Sequence, residues 1–572
     1  MYFSQNTALI KAICNASPGS VITLQAPVGY GKTTAVLGPI LNHERIKGGR
    51  MLHVSNRTSL KSQMFQTMLA KVEDGITPIE AEADGIVTLG SITFASYQAL
   101  SKWLSGGSAD KKLGNYRCCD YTVVVLDEAH YILADSSFSK QTASLANVRK
   151  VFSNAKRLYM SATLEPVLRI IVERIEGISD FYEDYGNGIF NLQDYPRYVR
   201  YLPYPFDAVL SQGSFPAYTK ADYYHFSVSE SDFSFFIPRV LPQSISLAED
   251  LIQQKKDGKL IKAFVFVNSI ALAKKYRKEI EDCNIKCAVI HSEAGGWNHL
   301  NSDGRNALKE IHQTRGFASY EVVLTTTALD NGISLEDPAI THIYVAGSDY
   351  ISFVQQAGRI RVKEDGRKVF LTIPDYGESD FQAMLGSELH KSELLEQLNC
   401  LPLSRLHHMS FEGQFASISN LLDYDRYGRP VAGAFAKDAL TYRISQLKSG
   451  LAAVKADPYG WPKRAFSWLG MAYDVESDLK AQAKNQQFDD IINFLKHHSS
   501  QTMSREEFDS FRDELKALHE SYTEKPFNSV QPKRVLGINR VSEVLNLYGY
   551  RGTGTINSFR LEEVAEGVSG TE

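Results

Sequence analysis

The sequence predicts an α/β protein with two successive parallel-sheet domains, roughly residues 1–165 and 238–378, and a mostly helical region over 379–572. Three observations point there. A short apolar run, Ser20–Gln25, passes through a glycine-containing loop into a helical stretch, AVLGPILNHERI. Further strand-length apolar runs then alternate with helical segments, and strands buried on both faces belong to parallel sheets covered by helices. The same alternation restarts after residue 235.

Taken in order, Leu9, Ile10 and Ile13 give residues 5–15 a helical period. Arg50–Ser55, Ile86–Leu89, Thr122–Leu126 and Lys156–Met160 read as the remaining strands of the first domain. The second holds Lys262–Asn268, a helix over ALAKKYRKEIEDC, and strands at Lys286–His291, Glu321–Thr326, Ile340–Ala346 and Lys368–Ile373. Between the domains, residues 166–237 form a linker or β insertion. It is rich in Tyr, Phe and Pro, with period-two stretches at Arg197–Tyr201 and Tyr223–Val228. Helical patterns mark 438–454, 476–498 and 503–522. No repeat with a period of about 20–50 residues is present.

The 572 residues are 43% hydrophobic and 22% charged, with Gly 39 and Pro 19, which excludes collagen-like and largely disordered chains. A net charge of -4 excludes a basic coat, so a nucleic-acid site must be a local groove. Six cysteines without a CxxC pair suggest neither a disulfide framework nor a zinc site, and reduced, buried thiols are expected. The start, MYFSQNTALIKAICNAS, lacks a basic segment followed by a long apolar run. The longest apolar runs, such as those at 123–126 and 263–267, fall far short of the roughly 20 residues that span a bilayer. A cytoplasmic protein without membrane contact is expected.

Two segments carry chemistry. Ala26-Pro-Val-Gly29-Tyr-Gly31-Lys32-Thr33-Thr34 joins a strand to a helix. Backbone N–H groups of such a loop, with the helix N-terminus, cradle phosphate; Lys32 would neutralise the β- and γ-phosphates and Thr33 would bind Mg²⁺. Ala26 stands where the usual loop has its first glycine. Val123-Val-Val-Leu-Asp127-Glu128-Ala129-His130 places two acids at the C-terminal edge of a buried strand, where open α/β sheets bind ligands. Asp127 can hold the Mg²⁺ shell through water, and Glu128 can take a proton from an attacking water. Helix capping is the other reading of paired acids at a strand end, and the loop about 95 residues earlier makes it the minor one.

In combination these segments resemble the superfamily 2 helicases, whose motif I takes the form of residues 26–33 and whose motif II, in its DEAH spelling, is residues 127–130. Ser161-Ala162-Thr163 stands where their motif III stands. Gln355-Gln356-Ala357-Gly358-Arg359-Ile360-Arg361 is similar to motif VI, usually Q-R-x-G-R-x-G-R. Gln356 replaces an Arg, and the last family Arg would fall on Val362, with Arg361 one residue early. Residues 325–333 resemble motif V through Asp330 and Gly332. Phe266–Ser269 resembles motif IV, Ser55–Arg57 motif Ia, and Thr93–Gln98 the backbone-contact motif that follows.

The resemblance covers residues 15–380 and implies two tandem RecA-like P-loop domains with ATP and Mg²⁺ between them. Ala26, Gly29, Gly31, Lys32, Thr33, Thr34, Asp330, Gly332 and Gln355 would bind nucleotide. Asp127, Glu128, Arg359 and Arg361 would be catalytic, with Arg359 as the arginine finger. His130, Ser161 and Thr163 would couple ATP state to grip. Asn56, Arg57, Thr93, Asn268 and Thr326 would touch the strand. The implied activity is a nucleic-acid-dependent ATPase, helicase or translocase, on single-stranded or duplex nucleic acid, DNA slightly ahead of RNA. An ATP-driven switch remodelling protein or nucleoprotein complexes is the alternative.

Two regions lie beyond the resemblance. Tyr195, Tyr198, Tyr201, Tyr204, Tyr223 and Tyr224 either stack bases or cover a sheet edge, and the sheet edge is the expectation. In the C-terminal region, Trp461–Trp468 mixes basic and aromatic residues. Lys533-Arg534, Ile538–Leu547 and Arg551–Thr555 read either as a winged helix or as part of a helical bundle, and the bundle is expected. This region also offers surface to protein partners.

Overall fold

A computed structural model of the chain describes residues 3–55, 86–105, 112–134, 145, 147–177, 221–225, 233–291, 300–329, 333–362, 366–400, 415–424, 430–475, 479–499, 502–523 and 537–563. The chain divides into two units, Met1–Tyr473 and Asp474–Glu572.

The first unit holds two large sheets. In the first, β1 is Val21–Gln25, β2 Met51–Ser55, β3 Ile86–Leu89, β4 Ile92–Ser96, β5 Val123–Asp127, β6 Lys156–Ser161 and β7 Ala221–His225. Their order is β3-β4-β2-β5-β6-β1-β7, parallel throughout except between β3 and β4. Along β5, Val123 and Val125 enter one apolar core while Val124 and Leu126 enter the other. That is the period of two that a strand covered on both faces requires.

Helix α1, Thr7–Asn15, starts where the Asn6 side chain accepts a hydrogen bond from the Leu9 N–H at 3.0 Å. Helix α2 runs Lys32–Ala35, then through a wider turn over Val36–Ile40, then Leu41–Ile46. Pro39 sits in that turn and brings no N–H to the ladder, which accounts for the local widening. Helices α3, Tyr97–Ser105, α4, Tyr131–Ala134, and α5, Glu165–Arg169, also belong to this domain.

In the second sheet, β8 is Phe236–Leu241, β9 Lys262–Phe266, β10 Cys287–Ile290, β11 Val322–Thr325, β12 Ile340–Tyr344 and β13 Val369–Pro374. The order is β8-β13-β12-β9-β11-β10, all parallel. Phe264 and Phe266 face one core, Ala263 and Val265 the other. The covering helices α6, Leu247–Lys256, α7, Ile270–Glu281, α8, Ser302–Thr314, and α9, Tyr350–Ala357, open on side-chain caps from Ser246, Ser269, Asn301 and Asp349. Two sheets, one wholly parallel and one parallel but for an edge pair, each covered on both faces, are two RecA-like domains.

Helices α10, Glu378–Cys400, α11, Ala436–Ala456, and α12, Gly460–Ser467, follow. Phe381, Leu447, Trp461 and Phe466 join the second domain's core. Gly450 lets α11 lie against the Phe381 ring; a Cβ there would come within 2.3 Å of it.

The second unit has its own core, including Ile491, Leu495, Phe508, Phe511, Leu545 and Phe559. Its elements are α13, Leu479–His498, β14, Thr502–Met503, α14, Arg505–Thr523, α15, Ile538–Leu547, β15, Tyr550–Thr555, and β16, Ser558–Glu563. The strands form an antiparallel sheet in the order β14-β16-β15. The region is helical as expected, but helix–strand–helix–helix–hairpin, with the first strand on the last, is winged-helix topology rather than a plain bundle.

Cys14, Cys118 and Cys287 are buried free thiols as expected, whereas Cys119 and Cys283 are exposed. Of the tyrosine-rich segment, Tyr223 and Tyr224 lie on β7, at the edge of the first sheet. Tyr195, Tyr198, Tyr201 and Tyr204 lie outside the described residues, as do Lys533 and Arg534. Among the described residues no helix is long and apolar enough to cross a membrane.

Candidate active site

Strands β5, β6 and β1 are neighbours, so the segments that follow them meet at one sheet edge. The loop after β1 turns through Gly29 at φ 86° and Gly31 at φ 80°, left-handed values that glycine adopts without strain. Ala26 is buried and its N–H bonds to the Ser161 carbonyl at 3.1 Å, tying the loop to β6. Lys32 opens α2 and folds back, its Nζ 2.7 Å from the Ala26 carbonyl and 3.0 Å from that of Pro27. Burial lowers the Lys32 pKa, against the pull of Glu128 and Asp127. Thr34 lies exposed on the same first turn.

Thr33 Oγ1 lies 3.4 Å from Asp127 Oδ2, so a hydroxyl and a carboxylate converge beside the loop. Two hard oxygens fit a Mg²⁺ that keeps waters and takes its remaining ligands from phosphate. Among the described residues no cluster of three His, Cys, Asp or Glu forms a closed metal cage. Burial, then the adjacent Glu128, push the Asp127 carboxyl up. Glu128 moves the opposite way: burial raises it, but the His130 hydrogen bond and charge, with Lys32 and Arg359, hold it below the usual range. Glu128 itself sits at φ 54°, uncommon for a residue with a Cβ, with its N–H held by Asp127 Oδ1 at 3.0 Å.

A buried polar chain continues from Glu128. His130 Nδ1 lies 3.3 Å from Glu128 Oε2 and 2.8 Å from Ser161 Oγ, and Ser161 Oγ accepts from the Thr163 N–H at 3.0 Å. The second domain joins it. Gln355 Nε2 reaches Glu128 Oε2 and His130 Nδ1, each at 3.5 Å, and Thr163 Oγ1 at 3.3 Å. His130, Ser161, Thr163 and Gln355 thus form one cluster with Glu128.

The two arginines have different surroundings. Arg359 is buried and turned into its own domain: Nε donates to the Gln355 carbonyl at 2.7 Å, Nη2 to Gln355 Oε1 at 2.8 Å and Nη1 to the Ile333 carbonyl at 3.0 Å. Arg361 instead lies over the phosphate loop, where a Cβ on Gly29 would meet its Nε at 3.3 Å. Desolvation and the neighbouring Arg359 pull the Arg361 pKa down to about 9, and burial lowers Lys32 as well.

Residues expected to touch nucleic acid divide. Asn268 is exposed and Thr326 half-buried, at the ends of paired strands β9 and β11, with Asn268 Nδ2 donating to Tyr376 OH at 3.0 Å. Thr93 is a correction: it is fully buried on β4 and accepts from Tyr121 OH at 2.8 Å, so it cannot meet a strand. Asn56, Arg57, Asp330 and Gly332 lie outside the described residues.

Sequence reasoning missed two site neighbours. His53 is buried on β2 with Nε2 3.7 Å from Asp127 Oδ2, and nothing in a strand-length run marks it. Gln356 Oε1 accepts from the N–H groups of Ala346 and Gly347, at 3.2 and 3.1 Å. Its replacement of a family Arg was the visible signal.

Against known families, residues 6–170 match the DEAD/DEAH box helicase family. No curated protein matches the chain. Among solved structures the chain is similar to the Mycobacterium smegmatis helicase Lhr bound to ssDNA and AMP-PNP, at 15% identity and TM-score 0.41 over 76% of this chain and 59% of that one. This chain therefore spans about 59% of Lhr's length. S. cerevisiae Dbp5 bound to RNA and ADP BeF3 aligns at 13% identity and TM-score 0.43, over 66% and 85% of the two chains. Mss116p bound to ssRNA and AMP-PNP aligns at 12% and 0.40, over 80% and 89%. The matched residues 6–170 hold the Gly29–Thr33 loop, the Asp127-Glu128-Ala129-His130 strand end and the Ser161–Thr163 segment on one sheet edge, and in these the chain is similar to the DEAD/DEAH box helicase family.

Proposed function

We propose that the chain is a nucleic-acid-dependent ATPase of the helicase or translocase kind, hydrolysing ATP between its two RecA-like domains. One observation carries the reading: Arg361 of the second domain lies on Gly29 of the phosphate loop while Gln355 meets Glu128. Lys32 and the loop N–H groups would hold the β- and γ-phosphates, and Thr33 and Asp127 would hold Mg²⁺. That ion, when bound, neutralises charge between the phosphates. Glu128 accepts the proton of a water attacking the terminal phosphorus; the bond to the bridging oxygen breaks and ADP leaves. Arg361, rather than Arg359, stabilises charge on the transferred phosphoryl oxygens. Arg359 positions Gln355 and the Ile333 loop.

Because the phosphates touch both domains, their loss weakens the closed pairing. Asn268 and Thr326, with Asn56, Arg57 and the Asp330–Gly332 loop, would grip the backbone of a nucleic-acid strand. Backbone grip carries no sequence code.

The test is ATP hydrolysis by the purified chain alone and with single-stranded DNA, duplex DNA and single-stranded RNA, beside Glu128→Gln. Stimulation by one polymer, lost in the variant, supports the motor and names its track. Turnover indifferent to every polymer moves the reading to a switch that remodels protein complexes.

A further inference from the structure

The helicase resemblance ends near residue 380, yet α11 lies against both halves of the cleft. Its N-terminal end packs on α4, the helix directly after Asp127–His130. Phe435 and Ala439 are buried in one core with Tyr131, Ile132 and Leu133 of the first domain and Ile351 of the second. Arg174, at the end of the first domain, donates to the Ala434 carbonyl at 2.7 Å, pairs with Asp438 and stacks on the Phe435 ring with its guanidinium carbon 5.1 Å from the centroid.

On the other side, Tyr442 OH donates to Asp349 Oδ1 at 3.2 Å and accepts from the Ile351 N–H at 3.2 Å. Asp349 is the N-cap of α9, whose far end carries Gln355 and leads into Arg359 and Arg361. The C-terminal half of α11 is fixed in the second domain through Leu447 and Gly450 against Phe381. One rigid helix is therefore anchored in the second domain and latched to the first, behind the loop of Glu128 and the helix that leads into Arg361.

We infer that α11 is a strap that sets the separation of the two RecA-like domains, with Arg174, Asp438 and Tyr442 as positioning residues for the cleft. Its catalytic consequence rests on the ATPase reading; its mechanical one does not. The Arg174–Asp438 pair is partly exposed and contributes little alone. The burial of Phe435 and Ala439 in the shared core and the two hydrogen bonds of the Tyr442 hydroxyl hold the strap, and the surface pair fixes its register.

The chain supplies its own ruler. Cys119 and Cys283 are exposed, one on each domain, while Cys14, Cys118 and Cys287 are buried. With Cys400→Ser, a fluorophore pair on these two thiols reads domain separation in the full-length chain. Asp438→Lys sets two cations against each other at the surface without touching the core; Arg174→Ala with Tyr442→Phe removes the polar latch. Both should broaden the distribution and shift it to longer separations, and Asp438→Glu should restore it. In the same variants kcat without nucleic acid should fall three- to tenfold with KM for ATP within about twofold, because nucleotide is held chiefly by the first domain. Saturating nucleic acid, which bridges the domains independently, should return kcat to within about twofold. An unchanged separation in both variants overturns the strap. Separation that shifts in a chain with no ATP turnover supports the strap and rejects the ATPase reading instead.

Discussion

At the scale of single residues, Arg359 and Arg361 have the same chemistry and opposite surroundings. Arg361→Ala should lower kcat by about two to three orders of magnitude and leave the melting temperature nearly unchanged. Arg359→Ala should instead destabilise by about 3 kcal/mol, because Gln355 and the Ile333 carbonyl lose a buried charged partner. Thermal melts beside steady-state kinetics separate the two; turnover lost in Arg359→Ala at an unchanged melting temperature would reverse the assignment. His342 gives a pH signature. It stacks on Phe370, and burial lowers its pKa from 6.5 to about 3. The unfolded chain therefore takes up this proton first as pH falls. Stability declines below pH 6.5 and levels off near 3, a loss of about 2–3 kcal/mol by about pH 4.5. Urea midpoints against pH should show that slope, and His342→Gln should flatten it.

At the scale of elements, the end of α9 approaches the phosphate loop so closely that only glycine fits. A Cβ on Gly358 would lie 2.7 Å from Val28 Cγ2 and 2.9 Å from the Val354 carbonyl. Gly358→Ala should wedge the domains apart by a fraction of an ångström. Stopped-flow turnover should fall about ten- to a hundredfold while nucleotide binding to the first domain changes little. The strands were legible because each is an apolar run buried on both faces: Thr122–Leu126 was read and Val123–Asp127 forms. Helix α10 was not, since its apolar residues are scattered around it rather than drawn into a stripe. Strand β4 was read as a contact motif because Thr93–Gln98 resembles one in the helicases; the Thr93 hydroxyl is satisfied inside by Tyr121.

At the scale of the whole molecule, the second unit's separate core predicts that a chain ending at residue 473 keeps the melting transition of the first unit, as calorimetry would show. A transition lost or lowered by several degrees would mean that the units share stability. The net charge of -4 leaves any strand binding to a local groove. Affinity measured by anisotropy should fall with salt at a log–log slope of about -0.7 per phosphate contact on single strands, nearly alike for unrelated sequences.

The sequence by itself determined the two parallel-sheet domains and the loop and strand end that meet in the first, because local apolar runs and left-handed glycines depend on near neighbours alone. Which arginine faces the phosphate loop, how Gln355 reaches Glu128, and that α11 lies behind both were decided only by tertiary structure. Some of those contacts, such as Gln355 to Glu128, join residues more than two hundred positions apart, and no local pattern encodes which of two nearby arginines donates to the Ile333 carbonyl.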